Sequence, residues 1–146
     1  MLERADFAHR LPHQGPMALI DKVLVFDADE IQAQAAAPDA LNHPLRRDGT
    51  VAAVHLCEYG AQAMAVHGAL LAQSAGGRAR PGLLVALRAV DLLVDRIDGL
   101  AAPLDIVARR EHTDDQVWRY HFDIHSEGRL LARGQAMVML EPEDTR

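Results

Sequence analysis

The sequence predicts a single α+β domain in which one long apolar helix is wrapped by an antiparallel β-sheet. Two observations predict it: a proline-free, mostly apolar stretch over residues 51–74, and six shorter aliphatic or alternating segments separated by turn-forming clusters. A chain of 146 residues fits one domain spanning 1–146, and at this size a core needs no covalent staple. Cys57 is the only cysteine, so no internal disulfide is possible. A reducing compartment, the cytoplasm, is the expected setting. The stretch Met1 to Arg10 lacks the basic start, apolar run and cleavage site of a signal peptide, so export is not expected.

Taken in chain order, residues 17–27 are rich in aliphatic and β-branched types and end at Asp27-Ala-Asp29, which reads as a strand entering a turn. Residues 30–37 alternate, with Ile31, Ala33 and Ala35 against Gln32 and Gln34, and should return as the second arm of a hairpin before Pro38. Residues 39–50 hold Pro44, Asn42, Gly49 and two adjacent arginines without any period, which marks a loop. Residues 51–74 then form the predicted helix, about 36 Å long at 1.5 Å per residue. Its small residues, Gly60, Ala61, Ala63, Ala65, Gly68 and Ala69, leave room for close approach by surrounding backbone. After the Gly76-Gly77 and Pro81-Gly82 breaks, residues 83–94, 104–112, 116–125 and 129–140 read as four strands. Asp114-Asp115 and Ser126-Glu127-Gly128 are short enough for hairpins, so the last three strands should form a meander. On the third of these four, Arg119, His121, Asp123 and His125 should line an exposed face.

Charge and motifs exclude several functions. The formal charge of −6 argues against non-specific nucleic-acid binding, which needs basic charge to displace counterions. Glu58, Gln62, His55 and His67 interrupt the apolar run, which argues against a membrane span. There is no glycine-rich phosphate loop and no Gly-x-Ser-x-Gly elbow. Lys22 is the single lysine among 15 basic residues, so cationic recognition would fall to guanidinium groups.

Glu58 is the most informative position. A carboxyl on a nearly all-apolar helix must find a partner, become neutral or face a cavity. Gln62 lies one turn later and His55 three residues earlier, so the three share a helical face on which either neighbour could orient the carboxyl. His43, in Asn42-His43-Pro44, sits on the loop before the helix, where a connection can deliver a side chain to the helix start. His67, His112, His121 and His125 are weaker candidates. His43, His55 and Glu58 are chemically suited to a metal but lack signature spacing, so no metal site is expected. Cys57 would point about 100° away from Glu58 and belongs to the core.

Leu11-Pro12-His13-Gln14-Gly15-Pro16-Met17 leading into Leu19-Ile20-Asp21-Lys22-Val23 resembles the opening of hot-dog-fold 3-hydroxyacyl-acyl carrier protein dehydratases. Glu58-Tyr59-Gly60-Ala61-Gln62-Ala63 resembles their Glu-x-x-x-Gln helix motif, most of all in the predicted dehydratases of aryl polyene biosynthesis. The resemblance implies a hot-dog fold, two subunits pairing their sheets as a homodimer or heterodimer, and a site at the interface. It implies Glu58 as the acid and His43 as the histidine, although the family's Gly-His-Phe-Pro loop is here Asn42-His43-Pro44-Leu45. His13 is a reserve candidate. A neutral imidazole would remove the α-proton of a thioester, and a carboxyl kept protonated by apolar surroundings would donate to the departing hydroxyl. Backbone N–H groups near Ala53 and Val54 would steady the enolate oxygen. The implied reaction converts a 3-hydroxyacyl thioester on acyl carrier protein to the enoyl form without cofactor, with Arg78, Arg80 and Arg88 able to meet an acidic carrier. Two rivals on the same fold are an acyl-thioester hydrolase in which Glu58 activates water, and a non-catalytic subunit that pairs with an active partner.

Overall fold

Short polar residues at the turns decide how the strands meet. The computed structural model describes residues 1–11, 15–38, 43–76, 82–114 and 116–140. Strand β2 (Ile20–Phe26) turns into β3 (Glu30–Ala35) where the Asp27 carboxylate accepts the N–H groups of Asp29 and Glu30 at 2.8 and 2.9 Å. Asp114 caps the turn from β5 (Leu104–Thr113) to β6 (Val117–Ser126) in the same way, accepting from Gln116 and Val117 at 2.7 Å each. Glu127 and Gly128 join β6 to β7 (Arg129–Leu140) with φ of 52° and 77°, the paired positive values of a type I′ turn.

The strands form one seven-stranded antiparallel sheet in the order β1-β2-β3-β5-β6-β7-β4. The expected meander of the last three is present. β4 (Gly82–Leu92) crosses over to pair with β7 and ends the sheet, so one of its edges meets no other strand of this chain among the described residues. The opposite end carries the two-residue β1 (Leu2–Glu3), followed by the short helix α1 (Arg4–Phe7). Sequence patterning missed both. α1 is held by a capping box between Glu3 and Asp6 and by burial of Phe7.

The long helix α2 (Leu56–Ser74) packs on β2, β3, β5, β6 and β7, giving the hot-dog arrangement that was expected. The core lies between them, with Tyr59, Leu56, Ile31, Ile106, Phe122 and Ile124 fully enclosed. At Gly60 and Gly68, two of the small residues of α2, rings rather than the expected backbone fill the space beside the helix. A Cβ added at Gly60 would lie 2.8 Å from the Phe122 ring, and one at Gly68 would lie 2.8 Å from Trp118.

Several boundaries also move for identifiable reasons. The first strand starts at Ile20 rather than residue 17, because the Leu19 N–H and the Met17 carbonyl bond to the Gln62 side chain instead of a neighbouring strand. β3 stops at Ala35, where the next amide, that of Ala36, turns to the Asp21 carboxylate. The helix starts at Leu56, after a 3₁₀ turn over Ala53–His55. Residues 51–53 are tied sideways instead: Ile97 N–H to the Val51 carbonyl at 2.9 Å, Ala53 N–H to the Asp95 carbonyl at 3.0 Å. The face of β6 expected to be open is only half open. Arg119, His121, Asp123 and His125 are half-buried, and His121 bonds Asp123 at 3.0 Å. No helix among the described residues is long and apolar enough to cross a membrane.

Candidate functional site

The candidate site forms where three segments converge on the first turn of α2. Asp98 anchors the approach to this turn by accepting the Val51 N–H at 3.0 Å, and its carboxylate is itself gripped by Arg96. That guanidinium, with the Val51 amide, holds the Asp98 carboxyl far below the usual carboxylate range. The arrangement fixes where the helix begins, and so which residues occupy its first turn.

Glu58 is one of them. It is half-buried rather than enclosed, and its Oε1 accepts a hydrogen bond from Gln62 Nε2 at 3.0 Å, as the one-turn spacing predicts. Gln62 is fully buried and engaged from both ends. Its Oε1 accepts the Leu19 N–H at 2.8 Å, while Nε2 also donates to the Met17 carbonyl at 2.7 Å. The segment that carries the first family-like motif and the helix that carries the second are therefore joined by one amide side chain. The Gln62 bond realises one of the two expected ways of orienting Glu58; His55, the other candidate, is half-buried in the 3₁₀ turn.

His43 reaches the helix, but its bond is to the neighbour of Glu58. Its Nε2 lies 2.7 Å from the Tyr59 hydroxyl, and its Nδ1 accepts the Leu45 N–H at 3.1 Å. A backbone N–H can only donate, so the neutral ring carries its proton on Nε2 and donates it to Tyr59. Burial pushes the imidazole pKa down, and Arg46 and the His55 ring nearby push it the same way, so His43 is neutral at pH 7. Tyr59 is 2% exposed, and burial, with Asp21 nearby, pushes its pKa up to about 12. Sequence reasoning missed Tyr59. The signal was there: a tyrosine on a buried helix needs a partner for its hydroxyl, and His43 lies on the loop that precedes it.

The remaining candidates separate. Ala53 is buried and its N–H is already engaged by Asp95, so of the two amides expected to meet an enolate only that of Val54, whose side chain is exposed, stays a candidate. His13, Arg78 and Arg80 lie outside the described residues. Arg88 is exposed on β4. Cys57 is buried as expected, and burial pushes its thiol pKa up. No group of three or more His, Cys, Asp or Glu side chains suited to a metal occurs among the described residues. His67 is fully buried toward the other end of the helix, donating from Nε2 to the Asp27 carbonyl at 2.7 Å and accepting the Tyr120 hydroxyl on Nδ1 at 2.6 Å.

A long helix laid on an antiparallel sheet, with a carboxyl and a held imidazole at its first turn, defines a hot-dog-fold protein. The chain belongs to the ApeP-like family, described as ApeP dehydratase, whose model matches residues 5–146. The dehydratase heterocomplex ApeI:P from Xenorhabdus doucetiae is 22% identical, covering 94% of this chain and 91% of the other at a TM-score of 0.82. A hypothetical thioesterase from Streptococcus pneumoniae TIGR4, solved with coenzyme A, is 13% identical over 97% and 99% of the two chains, at a TM-score of 0.66. The TT0310 protein from Thermus thermophilus is 21% identical over 82% and 91%, at a TM-score of 0.58. No curated protein matches the sequence. At these identities the structural likeness establishes the fold, and the family rests on the sequence match.

Proposed function

We propose that this chain is a cytoplasmic dehydratase subunit that converts a 3-hydroxyacyl thioester on acyl carrier protein to the enoyl thioester, in aryl polyene or fatty acid type biosynthesis. Membership of a dehydratase family supports the reaction type. The observation that carries the site is that one end of the helix holds both groups: Gln62 aims Glu58, and Tyr59, about 100° away around the helix, ties His43 to the same turn. The thioester acidifies the α-carbon. His43, neutral at pH 7, takes the α-proton, and Glu58, aimed by Gln62, handles the proton of the departing 3-hydroxyl.

Pairing with a second hot-dog subunit completes the proposal. β4 ends the sheet with Leu84, Val85, Leu87 and Leu92 each about half exposed, and Leu93 and Met139 exposed beside it. A long apolar edge left open is a template for another chain. A second copy or a related subunit seated on β4 would cover it, and the ApeI:P structure is itself a heterocomplex.

The test mixes the chain, alone and with any hot-dog subunit that co-purifies from its host, with a 3-hydroxyacyl carrier thioester and follows enoyl absorbance. Glu58→Gln should lower turnover by about 100-fold or more, the scale of general acid–base catalysis. Unchanged turnover in that variant removes Glu58 from the reaction. Release of free thiol without enoyl product marks a hydrolase instead, and activity found only in the partner marks this chain as a non-catalytic subunit.

A further inference from the structure

We infer that Tyr59 is the positioning residue of His43, and that by accepting the Nε2 proton it makes Nδ1 the nitrogen that receives a proton from the substrate. The inference rests on the dehydratase reading for its catalytic meaning, while the tautomer it assigns stands on geometry alone. The Leu45 N–H points at Nδ1 at 3.1 Å, so that nitrogen bears the lone pair. The Tyr59 hydroxyl, 2.7 Å from Nε2, takes the ring's only N–H. Tyr59 is buried on a regular helix, whereas His43 lies on an irregular segment, so the phenol ties a loop side chain to the rigid part of the fold.

A base oriented by a third group is the logic of hydrolytic triads, and a phenol can fill that place because its oxygen accepts. When the α-carbon C–H bond breaks, the proton goes to Nδ1 and its electron pair forms the new double bond as the bond from C3 to oxygen breaks. Glu58 returns a proton to that oxygen, which leaves as water. The resulting imidazolium keeps its Nε2–H bond to Tyr59, now charge-assisted. The Leu45 contact, the longer of the two, gives way to the substrate. Arg46 and His55 are the charged or titratable groups that act on the ring, and both oppose its protonation. Asp21 acts on Tyr59, which stays a neutral phenol across the working range. A proton leaving Nδ1 to solvent and one taken up from solvent by the Glu58 carboxylate reset the two groups.

Nitrogen-15 NMR of the imidazoles, with pH profiles of kcat and KM, tests this on the whole chain and on Tyr59→Phe. The wild-type His43 should show a bare Nδ1 and a protonated Nε2 at neutral pH. In Tyr59→Phe the tautomers should mix, the acid limb of the kcat profile should move to lower pH because the imidazolium has lost its acceptor, and kcat should fall about 10- to 100-fold with little change in KM. A wild-type ring protonated on Nδ1 overturns the inference, and so does a Tyr59→Phe protein whose tautomer and acid limb are both unmoved. The wild-type spectrum decides the tautomer even should the variant fail to fold. A wild type that makes no enoyl product, alone or with its hot-dog partner, sinks the dehydratase reading while leaving the spectra to decide the role of Tyr59.

Discussion

Replacing Gln62 by leucine tests how the two motif-bearing halves of the site are joined. Leucine nearly matches the volume and suits the helix, so what it removes is chiefly polar. Three hydrogen bonds disappear: those from the Leu19 amide, to the Met17 carbonyl and to Glu58. Leu19 is buried, and its N–H would be left without a partner at a cost of about 1–3 kcal/mol. Met17 is 37% exposed, so water can reach its carbonyl and the loss there is the net worth of one bond, about 0.5–1.5 kcal/mol. The expected destabilisation is therefore about 1.5–4.5 kcal/mol. With a urea slope of roughly 2 kcal/mol/M the unfolding midpoint should fall by about 0.7–2.2 M. Urea titration followed by circular dichroism measures this directly. A Gln62→Leu midpoint within about 0.3 M of wild type, well under that shift, would show that the bridge between the Met17–Leu19 segment and α2 does not hold the fold.

Two further outcomes follow from the core. Burial holds the His67 pKa below its ordinary value, although its bond to the Asp27 carbonyl opposes that shift. The unfolded chain therefore binds this proton first, so stability is full above about pH 6.5 and falls as the pH drops from there toward the folded pKa. In urea titrations between pH 5 and 8, His67→Phe should lose part of that acid slope, and an unaltered slope would contradict the assignment. Gly60→Ala improves helix propensity by about 1 kcal/mol but drives a methyl into the Phe122 ring, at about 1–3 kcal/mol for overpacking. A lowered melting temperature is expected, and a raised one would mean that Phe122 moves aside freely.

The periodicities along the chain place α2, the six main strands and the α+β class, because those features follow from local propensity and from which residues avoid water, while the hot-dog class came from the resemblance of two motifs. Asp27, Asp114 and Gly128 marked their turns for the same local reason. The pairing of Glu58 with Gln62 was also legible, since residues four apart on a helix must be neighbours. What lay beyond the sequence depended on contacts between segments distant in the chain. The ties from residues 51–53 to 95–98 delay the helix until Leu56 and engage the Ala53 amide. The bonds of Gln62 to Met17 and Leu19 take those residues out of the first strand. The need of Tyr59 for a partner was legible, but that the partner is His43 was settled by the loop's path, which delivers the ring to Tyr59 and not to Glu58. Sequence determines which groups cannot stay unpaired in an apolar interior; only the folded chain, by bringing remote segments within bonding distance, decides which partner each one finds.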